Sequence, residues 1–234
     1  MGSFASRADL QAIEAESGWA DRDVARSMYD FLGRTRMAHG TRPAISYQLL
    51  SEPGSKAITL TWNDLHARVT QAANLFRSLG VGEKDVVAYV MPNALETAVT
   101  LLGGAVAGIV NPINPLLEAE QISAILRETK ARVVVTLKAF PKTDLPQKVS
   151  EAVKHAPNVK TVLEVDLVRY LAGLKSFIVP LIRPKNPSQH TANVLDFNAE
   201  CARQPADRLT FADSTTDRVA AYFHTGGTTG MPKV

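Results

Sequence analysis

The sequence predicts an α/β fold, a doubly wound and mostly parallel sheet with helices on both faces. Three observations carry that expectation. The run at 85–91 is continuously apolar rather than alternating, the pattern of a parallel strand covered on both sides, and 131–137 and 159–165 read as further strands. Between them lie stretches with helical spacing, so residues 85–137 hold two βαβ units. With 45% hydrophobic and 21% charged residues, the 234-residue chain can bury a core without disulfide staples.

Taken in order, residues 1–40 are expected to be helical, with Gly40 as the stop. "AITLTW" (57–62) reads as a strand. A helix follows, with Thr61 as its cap and Asp64 at the reciprocal capping position. Its apolar stripe runs through Leu65, Val69, Ala72, Phe76 and Leu79, and Gly80 ends it. "DVVAYVM" is a buried strand and "ALETAVTLLGGAVAG" a mostly buried helix. "IVNPINP" is a short strand broken at Pro112 and Pro115. "LEAEQISAILRETK" is an amphipathic helix; "ARVVVTL" and "VKTVLEV" are further strands. "DRVAAYFHT" (217–225) is a last strand.

Four regions are expected: 1–56, helical, with a strand entering the sheet; 57–165, the sheet region; 166–190, an apolar helix and Pro-rich linker; and 191–234, a return segment. The third region departs from the βα rhythm. "LVRYLAGLKSFIVPLIRP" is apolar, with Arg169, Lys175 and Arg183 spaced along it. It is either a surface helix packed on the sheet or, over 167–183, an interfacial helix touching a membrane or a lipid substrate.

The net charge of +3 comes from scattered basic residues, so nucleic acid is not expected as a partner. Cys201 is the single cysteine, which rules out an internal disulfide and a cysteine-rich metal site. The histidines are dispersed, and no metal ligands are assigned. No apolar run reaches the length of a membrane span. The expected location is cytoplasmic, with membrane association left open. "MGSFAS" fits the pattern M-G-x-x-x-S of N-myristoylation, but a chance match or a vector scar is the favoured reading.

The chemistry lies in "YFHTGGTTGMPKV". A strand ending in a glycine-rich turn exposes backbone N–H groups that can converge on one anion. Thr225, Thr228 and Thr229 add hydroxyls, and Lys233 adds a positive charge. The set suits a polyphosphate. Three residues separate Gly226 from Gly230, and the lysine follows Met231 and Pro232, so this is not the Walker pattern. The plainer alternative is a Gly/Thr turn with no ligand.

These residues resemble the signature loop of the adenylate-forming, AMP-binding enzymes, the family of acyl-CoA synthetases, luciferases and peptide-synthetase adenylation domains. Thr225, Gly227, Thr228, Thr229, Gly230, Pro232 and Lys233 match its usual form, Y-T-S-G-T-T-G-x-P-K-G. His224 stands in the tyrosine slot, Gly226 in the serine slot and Val234 where glycine is common. "FHTGGTTG" looks most like bacterial fatty acyl-CoA synthetases. Upstream, "TWNDL", "LGVGEKD", "PN" and "NPLL" follow the family's first α/β region in order.

The resemblance implies an acid–thiol ligase that joins a carboxylate to ATP, releases pyrophosphate, and passes the acyl group to CoA. It implies ATP, Mg²⁺ and CoA as cofactors, and a small-molecule carboxylate, a fatty acid, as substrate. The site would comprise Thr225, Gly226, Gly227, Thr228, Thr229, Gly230 and Lys233, with Lys233 catalytic. The family's later acidic motif, ribose-binding aspartate and C-terminal lysine domain are not in these residues. The chain is therefore expected to be an N-terminal piece of such an enzyme, inactive alone. A non-catalytic binding or interaction module derived from the family is the alternative.

Overall fold

The structure, a computed structural model, describes residues 6–18, 21–52, 55, 57–185 and 190–224. The Gly2 pattern lies outside them. Helices α1 (Arg7–Glu16) and α2 (Met28–His39) precede an antiparallel pair, β1 (Pro43–Tyr47) and β2 (Ile58–Thr61). The amino-terminal helical stretch is thus two helices, with Gly40 as the C-cap of α2.

Helix α3 (Trp62–Ser78) starts as its sequence dictates. The Thr61 hydroxyl accepts from the Asp64 N–H, and the Asp64 carboxylate accepts from the Thr61 N–H at 3.0 Å. It ends at Gly80, whose φ of +83° suits glycine. The parallel strands are β3 (Val86–Val90), β4 (Ile109–Ile113), β5 (Val133–Leu137), β6 (Thr161–Val165) and β7 (Asn193–Asp196). They lie in the order β4-β3-β5-β6-β7, and every pairing is parallel. All residues of β3 and β5 are buried, as their largely apolar runs require.

The crossovers contain α4 (Leu95–Ala107), α5 (Ala119–Glu128) and α6 (Leu145–Lys154). The chain steps from β3 out to β4, then back past β3 to β5. With right-handed crossovers, that reversal puts α4 on one face and α5 and α6 on the other. The packing agrees: α4 lies on α3, and α5 lies on α6. At the α3–α4 contact, a Cβ on Gly103 would fall 2.9 Å from the Ala72 Cβ, so only glycine allows this approach.

Four elements differ from expectation. Helix α6 was not anticipated from the sequence. Strand β4 is not broken at Pro112 but runs through it to Ile113. The Val110 N–H and C=O both bond outward, to residues 220 and 222. Pro112, two residues on, points the same way, so its missing N–H costs nothing against β3. Third, α7 (Leu174–Leu181) forms after a 3₁₀ turn (Leu167–Tyr170), but none of its residues is buried. It is not packed on the sheet through its apolar side. Finally, the return segment contributes β7 and α8 (Phe197–Ala202), and Phe197 packs on Phe76 with ring centroids 6.4 Å apart.

Two buried polar residues tie distant segments together. Asn74, fully buried on α3, donates to the carbonyls of Pro205 (3.0 Å) and Arg208 (2.9 Å) and accepts from the Thr210 N–H (2.8 Å). Glu96, 2% exposed on α4, accepts from Arg169 at 2.9 Å and from the Tyr170 hydroxyl at 2.6 Å. That pair of bonds fixes the 3₁₀ turn before α7.

Candidate functional site

The sequence-predicted site residues Thr225, Gly226, Gly227, Thr228, Thr229, Gly230 and Lys233 lie outside the described residues. What is described is the segment that delivers them, residues 217–224, along the outer edge of β4. It makes one parallel bridge, Val110 with Ala221. The Val110 N–H donates to Ala220 at 3.0 Å, and the Tyr222 N–H donates to Val110 at 2.9 Å. A full strand was expected here. The ladder stops because the next outward donor on β4 would belong to Pro112, which has none.

Asn111 replaces that donor. Its side-chain amide, fully buried, donates to the Tyr222 carbonyl at 2.9 Å. The same nitrogen lies 3.2 Å from His224 Nδ1. With Nδ1 accepting from the amide, the ring proton sits on Nε2, which faces Glu128 Oε2 at 3.9 Å. Burial holds the His224 imidazole below its ordinary pKa, with Glu128 opposing. The side chain, 5% exposed, is therefore a neutral group placed directly before Thr225. Neither Asn111 Oδ1 nor His224 Nε2 has a hydrogen-bond partner among the described residues.

A second tie lies at the start of the segment. The Arg218 guanidinium donates to the carbonyls of Gly108 (2.6 Å), Ala105 (2.7 Å) and Val106 (3.0 Å). These are the last carbonyls of α4, the negative end of its dipole, where a cation is favoured. Two anchors, Arg218 and Asn111, thus bracket the route into the loop. Sequence reasoning found neither. Asn111 left a signal, a polar residue inside an apolar strand and directly before proline. Arg218 left none, because its partners are backbone carbonyls more than a hundred residues away. Among the described residues, no group of three or more His, Cys, Asp or Glu side chains could hold a metal ion.

An all-parallel five-stranded sheet with helices on both faces and an edge segment along β4 places the chain in the class of doubly wound α/β proteins. The chain belongs to the AMP-binding enzyme family, whose model matches residues 34–234. It is 34% identical over 164 residues to a marinolic acid–CoA ligase of Pseudoalteromonas sp. (strain SANK 73390), covering 70% of this chain and 22% of that protein. It is 28% identical over 180 residues to a long-chain-fatty-acid–CoA ligase of Bacillus subtilis (strain 168), covering 74% of this chain and 31% of that one. The crystal structure of the anthranilate CoA ligase AuaEII with anthranoyl-AMP superposes with a TM-score of 0.65 at 20% identity, covering 91% of this chain and 35% of that one. The chain thus spans between about a fifth and about a third of the length of these proteins.

Proposed function

We propose that the chain supplies the phosphate-binding part of an AMP-forming acid–thiol ligase. The observation that carries this is the family match over residues 34–234, which includes the Gly/Thr stretch and Lys233. In the reaction, a carboxylate oxygen attacks the α-phosphorus of ATP, and the bond to the β-phosphate oxygen breaks. Acyl-adenylate forms and pyrophosphate leaves. The CoA thiol then takes the acyl group, releasing AMP and giving up its proton.

Negative charge grows on the departing pyrophosphate. Backbone N–H groups around Gly226, Gly227 and Gly230, the hydroxyls of Thr225, Thr228 and Thr229, and the Lys233 ammonium would hold that charge. Mg²⁺ enters with ATP as part of the substrate and neutralises phosphate charge. The substrate class we favour is a fatty acid, supported by the "FHTGGTTG" form of the loop and by the long-chain relative. A fatty acid partitions into membranes, which suits peripheral contact through 167–183.

The test is carboxylate-dependent ATP–pyrophosphate exchange, from acetate to palmitate, in a protein of the relatives' length carrying these residues. The 234-residue chain alone, which spans under a third of the B. subtilis relative, is expected to stay at background. Lys233→Ala should slow adenylation roughly ten- to a hundredfold, the loss of one charge-assisted contact of about 1.5–3 kcal/mol. Thioester formation from preformed acyl-adenylate should be nearly unchanged. Equal slowing of both steps would overturn the role given to Lys233.

A further inference from the structure

Helix α7 is amphipathic, but its apolar side faces away from the protein. Leu174, Phe177, Ile178 and Leu181 recur at i, i+3, i+4 and i+7, the spacing that normally turns toward a core. Here they are 72%, 74%, 41% and 84% exposed, and Ile182 beyond them is 60% exposed. A contiguous apolar stripe of this kind marks a surface that something covers.

The surrounding chemistry indicates what covers it. Residues 167–192 contain Arg169, Lys175, Arg183 and Lys185, and no Asp or Glu. Two of these cations hold the helix in place. Arg169 bonds buried Glu96, and Arg183 donates to both Asp166 oxygens at 2.8 Å. Among the described residues Lys175 pairs with Glu52, each side chain 54% exposed. Such an exposed pair contributes little and exchanges readily for another anion. Lys185 follows the helix. Beside Lys175 an open groove of about 690 Å³, lined in part by Leu49, Leu50, Ile58 and Leu174, gives a chain end room. An eight-residue helix is about 12 Å long, too short to cross a bilayer. It can lie flat in the headgroup layer with lysines reaching the phosphates.

We propose that α7 is a membrane-surface anchor that lays Leu174, Phe177, Ile178, Leu181 and Ile182 into the interface of an anionic bilayer, with Lys175 and Lys185 against lipid phosphate. It deepens the ligase reading by placing the protein where an amphipathic carboxylate resides, but binding itself does not depend on that reading.

The test is flotation of the 234-residue chain with phosphatidylcholine vesicles, with or without one quarter phosphatidylglycerol, at low and high salt. The chain is expected to float with the anionic vesicles and to be released by salt. Phe177→Asp with Leu181→Asp should weaken binding at least about tenfold, and Lys175→Gln with Lys185→Gln about fivefold per charge. Both Asp substitutions fall on exposed positions, so circular dichroism should be unchanged. Phe177→Trp should show blue-shifted emission with anionic vesicles only. No binding to anionic vesicles, or equal binding by the double Asp variant, would overturn the proposal. So would a dimer that the Asp pair dissociates while vesicles leave it untouched, since a second copy would then be the cover. Exchange activity is measured separately. Absence of exchange in the protein of the relatives' length, with vesicle binding intact, counts against the ligase reading alone, and exchange without vesicle binding counts against the anchor alone.

Discussion

Cys201 is the sharpest probe at the scale of single residues, because it is the only thiol in the chain. It is buried at the end of α8, and burial pushes its pKa up to about 12. At pH 8 the thiolate fraction should be roughly a thousandfold below that of a free cysteine. Ellman's reagent should therefore leave native protein almost unlabelled and react at the ordinary rate in urea; fast native labelling would contradict the packing of α8 on α3. His66 gives a pH dependence. It is buried against Tyr29, ring centroids 4.8 Å apart, and burial followed by the Arg36 charge lowers its pKa. A lowered imidazole pKa means that the unfolded chain binds protons more readily below about pH 6.5. Stability from His66 is complete above that pH and is lost as pH falls further. Urea midpoints between pH 7.5 and 5 should decline more steeply for the natural protein than for His66→Phe. Taking that difference removes Glu164, whose carboxyl is pushed up by burial and has the opposite slope.

Elements differ in how plainly the sequence announced them. Strands β3 and β5 were legible because covering both faces makes nearly every residue apolar, Thr136 being the exception. Helix α3 was legible because a capping box, a 3.6-residue stripe and a terminal glycine all agree. Helix α6 lacked such agreement. Asp144 and Pro146 are start signals, but the N-cap makes no side-chain bond and no glycine marks the end, since the C-cap is His155. The orientation of α7 could not be read either, since a stripe fixes which residues share a face but not where that face points. Its 3₁₀ lead-in depends on Glu96, a carboxylate whose partners are more than seventy residues on. Glu96→Ala should cost about 2–3 kcal/mol in urea unfolding, because two bonds to a buried charge are lost while half-exposed Arg169 can turn to water. Glu96→Gln should cost less. An unchanged midpoint for the alanine variant would mean the turn is held elsewhere.

For the molecule as a whole, residues 217–224 are held at the outer edge of the five-stranded sheet by few bonds, to β4 and to the end of α4. The Gly/Thr stretch and Lys233 stood out in the sequence as a motif, and they lie outside the described residues. The anchors of residues 217–224 did not stand out, because Asn111 and Arg218 act on backbone groups that sequence spacing cannot bring together. Asn111→Ala removes the donor to Tyr222 and should cost about 1–3 kcal/mol. Its signature should be local: hydrogen exchange at 218–224 rises while β3 and β5 stay protected. Uniform loss of protection would instead mean that the segment is part of the global cooperative unit.

Pro112 has a consequence for the chain while it is still incomplete. Until residues 220–222 arrive, more than a hundred positions after β4, that strand presents a bare edge on which a strand of another molecule could pair. A proline in such an edge interrupts the row of donors and makes it a poor template for intermolecular pairing. The residue that keeps the native bridge short therefore also guards the nascent sheet against self-association, and Asn111 restores internally what the guard removes. Pro112→Val should lengthen the bridge in the folded protein yet scatter more light when diluted from urea. If the variant refolds as cleanly as the natural sequence, the edge needs no guard.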